Sequence, residues 1–138
     1  MMHCAFFGDD AKLHHIGLGV RSIREASPSS QPVVEKVQGV SIAFVDLNGV
    51  AIELLEPLDD ESPIARSVKQ SVKLLHLCYE VEDLEAAIET CRHAGFHRLG
   101  PLTPAHIFDG RRVAWVFSRH FGLFELLERT RKPEVSVV

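Results

Sequence analysis

The chain reads as a single α+β domain made of two copies of one module, and three observations predict it. Leu13–Ala26 (LHHIGLGVRSIREA) and Leu74–Ala87 (LLHLCYEVEDLEAA) align position by position without a gap, which lays His15 on His76, Val20 on Val81 and Ile23 on Leu84. A later pair, Ile42–Glu56 and Val113–Glu128, matches with one extra residue in the second turn and lays Glu53 on Glu125. The first of these later stretches is split by Asn48-Gly49, the strongest short signal for a hairpin between apolar arms. An internal repeat sets the architecture before any single element does. Here it is strand, connection, hairpin, twice.

Each element has its own local reason. Leu13–Val20 alternates between polar and apolar residues and reads as a strand. Ile42–Leu47 and Val50–Leu55 are the arms of the first hairpin, closed by Pro57. Ser62-Pro63 opens Ile64–Lys69, which has room for one or two helical turns. Leu74–Val81 repeats the first strand. Asp83 is a helix N-cap for Leu84–Ala94, where Leu84, Ala87, Ile88 and Cys91 recur at helical spacing and Gly95 stands just past the end. Arg112–Phe117 and Leu123–Glu128 form the second hairpin, and Lys132–Val138 is a loosely held tail. The halves differ in one place. The stretch from His15 to Ala43 is shorter than its counterpart from His76 to Ala114, and the shortfall lies where the second half carries its helix. Pro28, Pro32 and the serines between them oppose a helix longer than about two turns there. The expected organisation is one domain over 11–128, with modules at 11–57 and 72–128, a linker at 58–71 and a tail at 129–138.

The bulk numbers bound the function. With 138 residues and 46% hydrophobic content the chain buries a real core. A net charge of −4 and a pI near 6.0 argue against nucleic acid, which calls for a basic stripe. No apolar run approaches the ~20 residues of a membrane span, and the N-terminus lacks the basic region of a signal peptide. Cys4, Cys78 and Cys91 are odd in number and show no C-x-x-C spacing, as expected of reduced thiols in a cytoplasmic protein.

Strand alternation then sorts the faces. Ile16, Leu18 and Val20 lie opposite His15, Gly17 and Gly19; Leu77, Tyr79 and Val81 lie opposite His76, Cys78 and Glu80. In the hairpins Ile52 and Leu54 oppose Glu53, and Phe124 and Leu126 oppose Glu125. One face is bulky and fit to receive a helix; the other sets a polar group beside small residues, as a cupped sheet around a pocket requires. A lone His or Glu on a strand is usually solvated or hydrogen-bonded. A His pair and a Glu pair at matching positions of two repeats is harder to dismiss, because a local two-fold axis brings all four to one point. Imidazole nitrogens with carboxylate oxygens suit Zn, Co, Ni, Mn or Fe. The other histidines (His3, His14, His93, His97, His106, His120) break the repeat and read as surface or core groups. Arg111, Arg112 and Arg119 read as a solvated edge rather than a phosphate site.

Over about residues 13–128 the chain resembles the vicinal oxygen chelate (glyoxalase/bleomycin resistance) superfamily. The resemblance rests on H-I-G at His15, I-E-L-L-E-P-L at Ile52–Leu58, D-E-S-P-I-A at Asp60–Ala65, L-H-L at Leu75–Leu77 and F-E-L at Phe124–Leu126. It implies paired βαβββ modules forming a cupped mixed sheet, the first with a truncated helix. It also implies a divalent metal held by His15, Glu53, His76 and Glu125. Without a full first helix, Ile16, Leu18 and Val20 are expected to expose an apolar patch of the kind that marks an interface, and a homodimer, common in the superfamily, is expected. The linker and the I-E-L-L-E-P-L stretch are most similar to the methylmalonyl-CoA epimerase branch. Glu53 stands where that branch commonly has Gln, and a His/Glu/His/Glu set is closer to bacterial glyoxalase I. The epimerase branch also carries a proton-shuttling glutamate on the strand after the first helix; the matching stretch here, Gln38–Ile42, holds no acid. The expected activity is isomerisation or epimerisation of an acyl-CoA thioester through an enolate stabilised by the metal, with Glu125 as the first choice of base and Glu53 the second. The alternatives are a glyoxalase-type lyase acting on a glutathione hemithioacetal, and a non-catalytic binder of small molecules or antibiotics.

Overall fold

The computed structural model describes residues 1–131, which form eight strands, three short α-helices and one turn of 3-10 helix at His106–Phe108. Strands β1 (Lys12–Gly19), β2 (Val33–Glu35), β3 (Val40–Leu47), β4 (Val50–Pro57), β5 (Leu74–Val81), β6 (Phe96–Pro104), β7 (Arg112–Ser118) and β8 (Gly122–Glu128) are hydrogen-bonded in the order β2-β3-β4-β1-β5-β8-β7-β6, a mixed sheet of the α+β class. By contacts the chain gathers into two units, His14–Leu77 on one hand and Met1–Leu13 with the segment from Cys78 onward on the other.

In the unit His14–Leu77, β1 (Lys12–Gly19) leads to α1 (Ile23–Ala26), β2 (Val33–Glu35) and the hairpin of β3 (Val40–Leu47) and β4 (Val50–Pro57). The hairpin turns where the sequence expects: Asn48 and Gly49 take φ of 51° and 91°, as a two-residue turn of the primed kind requires. Asp46 Oδ1 accepts from Gly49 N–H at 2.9 Å. β1 runs parallel to β4, with Ile16 beside Ile52 and Gly17 beside Glu53. Helix α1 is a single turn. Ser22 caps it by accepting from Glu25 N–H at 3.2 Å, and Glu56 Oε1 on β4 accepts from Ile23 N–H at 2.7 Å. Ile23 closes a core of Ala43, Ile52 and Leu54, against which Ile16, Leu18, Val20 and Val45 pack. The missing helix therefore does not leave Ile16, Leu18 and Val20 bare, as the sequence alone suggests. Packed against Ile23, Ala43, Ile52 and Leu54, they are half-buried. Helix α2 (Ala65–Lys69) buries Ala65 and Val68 and leads into β5 (Leu74–Val81).

In the other unit, α3 (Leu84–Arg92) is capped by Asp83, whose carboxylate accepts from Ala86 N–H at 3.0 Å. It buries Leu84, Ala87 and Cys91, and the chain leaves it through Gly95 at φ 90°. Two features here have no clear signature in the sequence. Phe96–Pro104 forms a full strand, β6, paired with β7 (Arg112–Ser118) through a register shift between Leu99 and Thr103. The N-terminal arm brings Phe7 against the rings of Tyr79, Phe96 and Phe124 at 5.2–5.3 Å. β7 pairs in turn with β8 (Gly122–Glu128). The expectation for Lys132–Val138 falls outside the described residues. Among those described, no helix is long and apolar enough to cross a membrane.

Candidate metal centre

His15, Glu53 and His76 meet. The face that carries them is the one strand alternation assigns to small and polar residues, and their relative exposures are 0%, 4% and 4%. His15 Nε2 lies 3.4 Å from His76 Nε2 and 3.6 Å from Glu53 Oε1, and His76 Nε2 lies 3.4 Å from the same oxygen. Donors held at about 2.0–2.2 Å from one ion stand roughly 3–3.5 Å from each other, and these separations come close to that. Two imidazoles and a carboxylate out of water also make a donor set that borderline divalent ions favour.

Local sequence explains why the three converge. Gly17 faces the same way as His15 and lies beside Glu53 in the β1–β4 register. A Cβ at Gly17 would stand 2.2–2.8 Å from the His76 ring, so this position admits only glycine while His76 keeps its place. Across the β3–β4 hairpin Phe44 pairs with Glu53 and Ile42 with Leu55. The Phe44 ring meets His15 edge-on at 5.2 Å. Ile42, at 2% exposure, thus stands on the site face in the stretch where no acid is found.

Glu125, the fourth expected ligand, belongs to the other unit, where it is buried at 3% exposure on β8 opposite Trp115. Of the residues set aside in the sequence, Arg111 and Arg112 are more than a solvated edge. Arg111 pairs with Glu80 at 3.1 Å. Arg112 bridges Glu85 at 2.8 Å and the fully buried Glu128 at 3.0 Å, and these carboxylates push its pKa above the ordinary guanidinium value. Arg119 is exposed as expected, and His93 sits at the surface beside Glu89 at 3.3 Å. His14 is the residue that sequence patterning undervalues. Adjacent strand residues point to opposite faces, yet its Nδ1 lies 2.8 Å from Nδ1 of His15.

Comparison with known proteins bears on the family and the fold. The ethylmalonyl-CoA/methylmalonyl-CoA epimerase of Cereibacter sphaeroides is 31% identical over 122 residues, covering 80% of this chain and 91% of that one. The crystal structure of methylmalonyl-CoA epimerase from Mycobacterium tuberculosis superposes with a TM-score of 0.70 at 20% identity, over 96% of this chain and 94% of that one. A variant of the Streptomyces coelicolor methylmalonyl-CoA epimerase, in complex with 2-nitronate-propionyl-CoA, gives 0.68 at 21% identity over 88% and 98%. The family model described as glyoxalase/bleomycin resistance protein/dioxygenase superfamily matches residues 14–115, from the strand of His15 to the strand opposite Glu125. With the duplicated module, the mixed sheet and the buried histidine–glutamate triad, that match places the chain in the glyoxalase/bleomycin resistance protein/dioxygenase superfamily.

Proposed function

We propose that this chain is an epimerase of acyl-CoA thioesters that works with a divalent metal ion, held by His15, Glu53, His76 and Glu125. The observation that carries the reading is the buried triad: two imidazole nitrogens and a carboxylate oxygen spaced as ligands of one ion. Support for Glu125 comes from the repeat, which matches it to Glu53, and from its own burial on β8. When bound, the ion supplies Lewis acidity to the thioester carbonyl, lowering the pKa of the adjacent C–H.

The chain's own residues do the rest. A carboxylate oxygen of Glu125 takes the α-proton, and Glu53 is the second group able to hold and return one. Ile42 and Phe44 present apolar surface beside Glu53, which limits water at the reacting carbon. With no acid in Gln38–Ile42, proton traffic falls to the two glutamates already in the ligand set. The reading also includes a homodimer, which would cover what stays exposed of the partly buried Ile16, Leu18 and Val20. Light scattering at micromolar concentration tests it.

The test of the activity is solvent deuterium entering the α-carbon of methylmalonyl-CoA and related thioesters. Label enters only with Co, Ni, Mn, Zn or Fe supplied, and Glu125→Gln abolishes it. His76→Ala loses metal affinity by about a hundredfold or more, as expected when one of four ligands goes. Turnover of a glutathione hemithioacetal without thioester exchange would replace the epimerase with a lyase. A rise in melting temperature with an antibiotic, and no turnover of either substrate, would make the chain a binder.

A further inference from the structure

His15 has two ring nitrogens with different surroundings. Nε2 faces Glu53 and His76; Nδ1 faces Nδ1 of His14 at 2.8 Å, with the two rings nearly perpendicular at 78°. At that distance two nitrogen lone pairs repel, so one of the rings carries its proton at Nδ1. We propose that His14 is the positioning residue of His15. It accepts Nδ1–H of His15 at its own Nδ1 and so holds the Nε2 lone pair of His15 toward Glu53 and His76. The direction of this hydrogen bond rests on the metal reading above, because a nitrogen that ligates an ion must be unprotonated.

The arrangement has a chemical consequence of its own. A ligating histidine commonly gives its second N–H to a carboxylate, a backbone carbonyl or water. Here the acceptor is a neutral imidazole from the very next residue, fully buried His15 being held by a half-buried neighbour. Because the acceptor is uncharged, it fixes the tautomer and the ring plane while adding less negative charge than a carboxylate would. His14 thereby sets how strongly His15 binds without touching the ion.

Two side chains of matched shape separate this role from packing. Asn at position 14 offers Oδ1 close to where histidine offers Nδ1; Leu has the same branching and no acceptor. Zn²⁺ alone is the probe, with affinity measured by competition against a chelator and the metal-free melting temperature as control. His14→Leu weakens Zn²⁺ binding about 10–100-fold, and His14→Asn returns it to within about threefold of wild type, the range expected for an outer partner of a ligand. Both variants melt as wild type does without metal. Unchanged affinity in His14→Leu, or His14→Asn as weak as His14→Leu, overturns the proposal. Nitrogen-15 NMR of the metal-free protein gives an independent reading: His15 is protonated at Nδ1 in wild type and loses that preference in His14→Leu. A wild-type His15 protonated at Nε2 overturns the inference whether or not zinc binds. Failure of wild type to bind any divalent ion would instead defeat the metal reading, with the tautomer still deciding the role of His14.

Discussion

The unit His14–Leu77 and the unit that begins again at Cys78 follow one course with very different helices, four residues in α1 and nine in α3. Their strands are nevertheless covered alike. Ile52 and Leu54 on β4 are 5% and 6% exposed, and their counterparts on β8, Phe124 and Leu126, are 9% and 0%. Ile23 and Leu84, matched by the repeat as the first helical residues, are 1% and 0% exposed. What this module must keep is one apolar side chain over the hairpin and a capped turn to deliver it. Helix length beyond that is dispensable. On the site face the comparison reverses: Gly17 has no room for a side chain, while its counterpart Cys78 is a buried residue packed with Ala105, Phe108, Val113 and Leu127.

Three experiments press on that comparison. The largest effect belongs to the two covering residues. Ile23→Ala and Leu84→Ala each lower the unfolding free energy by about 2–5 kcal/mol, as buried aliphatic truncations do. Urea denaturation measures both. A loss below about 1 kcal/mol in Ile23→Ala alone, small for a buried aliphatic truncation, would mean that α1 merely connects strands. Next come the small positions. Gly17→Ala costs about 1–3 kcal/mol from overpacking and displaces the His76 ring, so metal affinity falls with stability. Cys78→Ala removes a sulfur outside the four proposed ligands and keeps metal affinity. Isothermal titration of both variants with Co²⁺ separates them, and equal losses of affinity would erase the asymmetry between the modules.

The smallest effect is confined to the longer helix. Burial pushes the Cys91 thiol up to about 11, from an ordinary value near 9. Between those values the unfolded chain has released the proton and the folded chain has kept it. Stability contributed by the neutral thiol is therefore present below about pH 9 and lost as pH rises toward 11. Urea midpoints measured across that window should fall faster in wild type than in Cys91→Ala. Parallel curves would show that the thiol ionises as readily folded as unfolded. The shorter first helix has no equivalent group, since it ends at Ala26 and holds no cysteine.

The duplication makes the fold and the histidine–glutamate triad legible, because a His pair and a Glu pair recur with the strand pattern around them. Strand β6 stays hidden for a physical reason. Gly100, Pro101 and Pro104 break its pattern, yet β6 is the last strand of the order, and an edge strand tolerates proline and a register shift. The three residues of β2 are too few to show a period. Phe6 and Phe7 carry no periodic signal at all; their role lies in ring contacts with Phe96, Phe121 and Phe124, which are remote in sequence. Alternation misjudges His14 because it describes where Cβ points, whereas an imidazole ring reaches back to its neighbour by turning about its side-chain bonds.

The Asn48–Gly49 turn bears on the order in which the site comes into being. Residues 40–57 pair in one unbroken register from Val40–Pro57 to Leu47–Val50, so the hairpin closes from contacts local in sequence. Hairpins of this kind zip up in about 1–10 μs, ahead of pairings that must first close long loops. Glu53 is thus carried early, on the part of the chain that folds fastest. His15 arrives only when β1 lies down parallel to β4, and His76 only after the linker has brought β5 to Gly19, whose N–H donates to Lys73 O at 2.8 Å. An ion held by all three residues, as proposed, would therefore bind late in folding. In a stopped-flow refolding experiment it would report completion of the unit rather than its collapse.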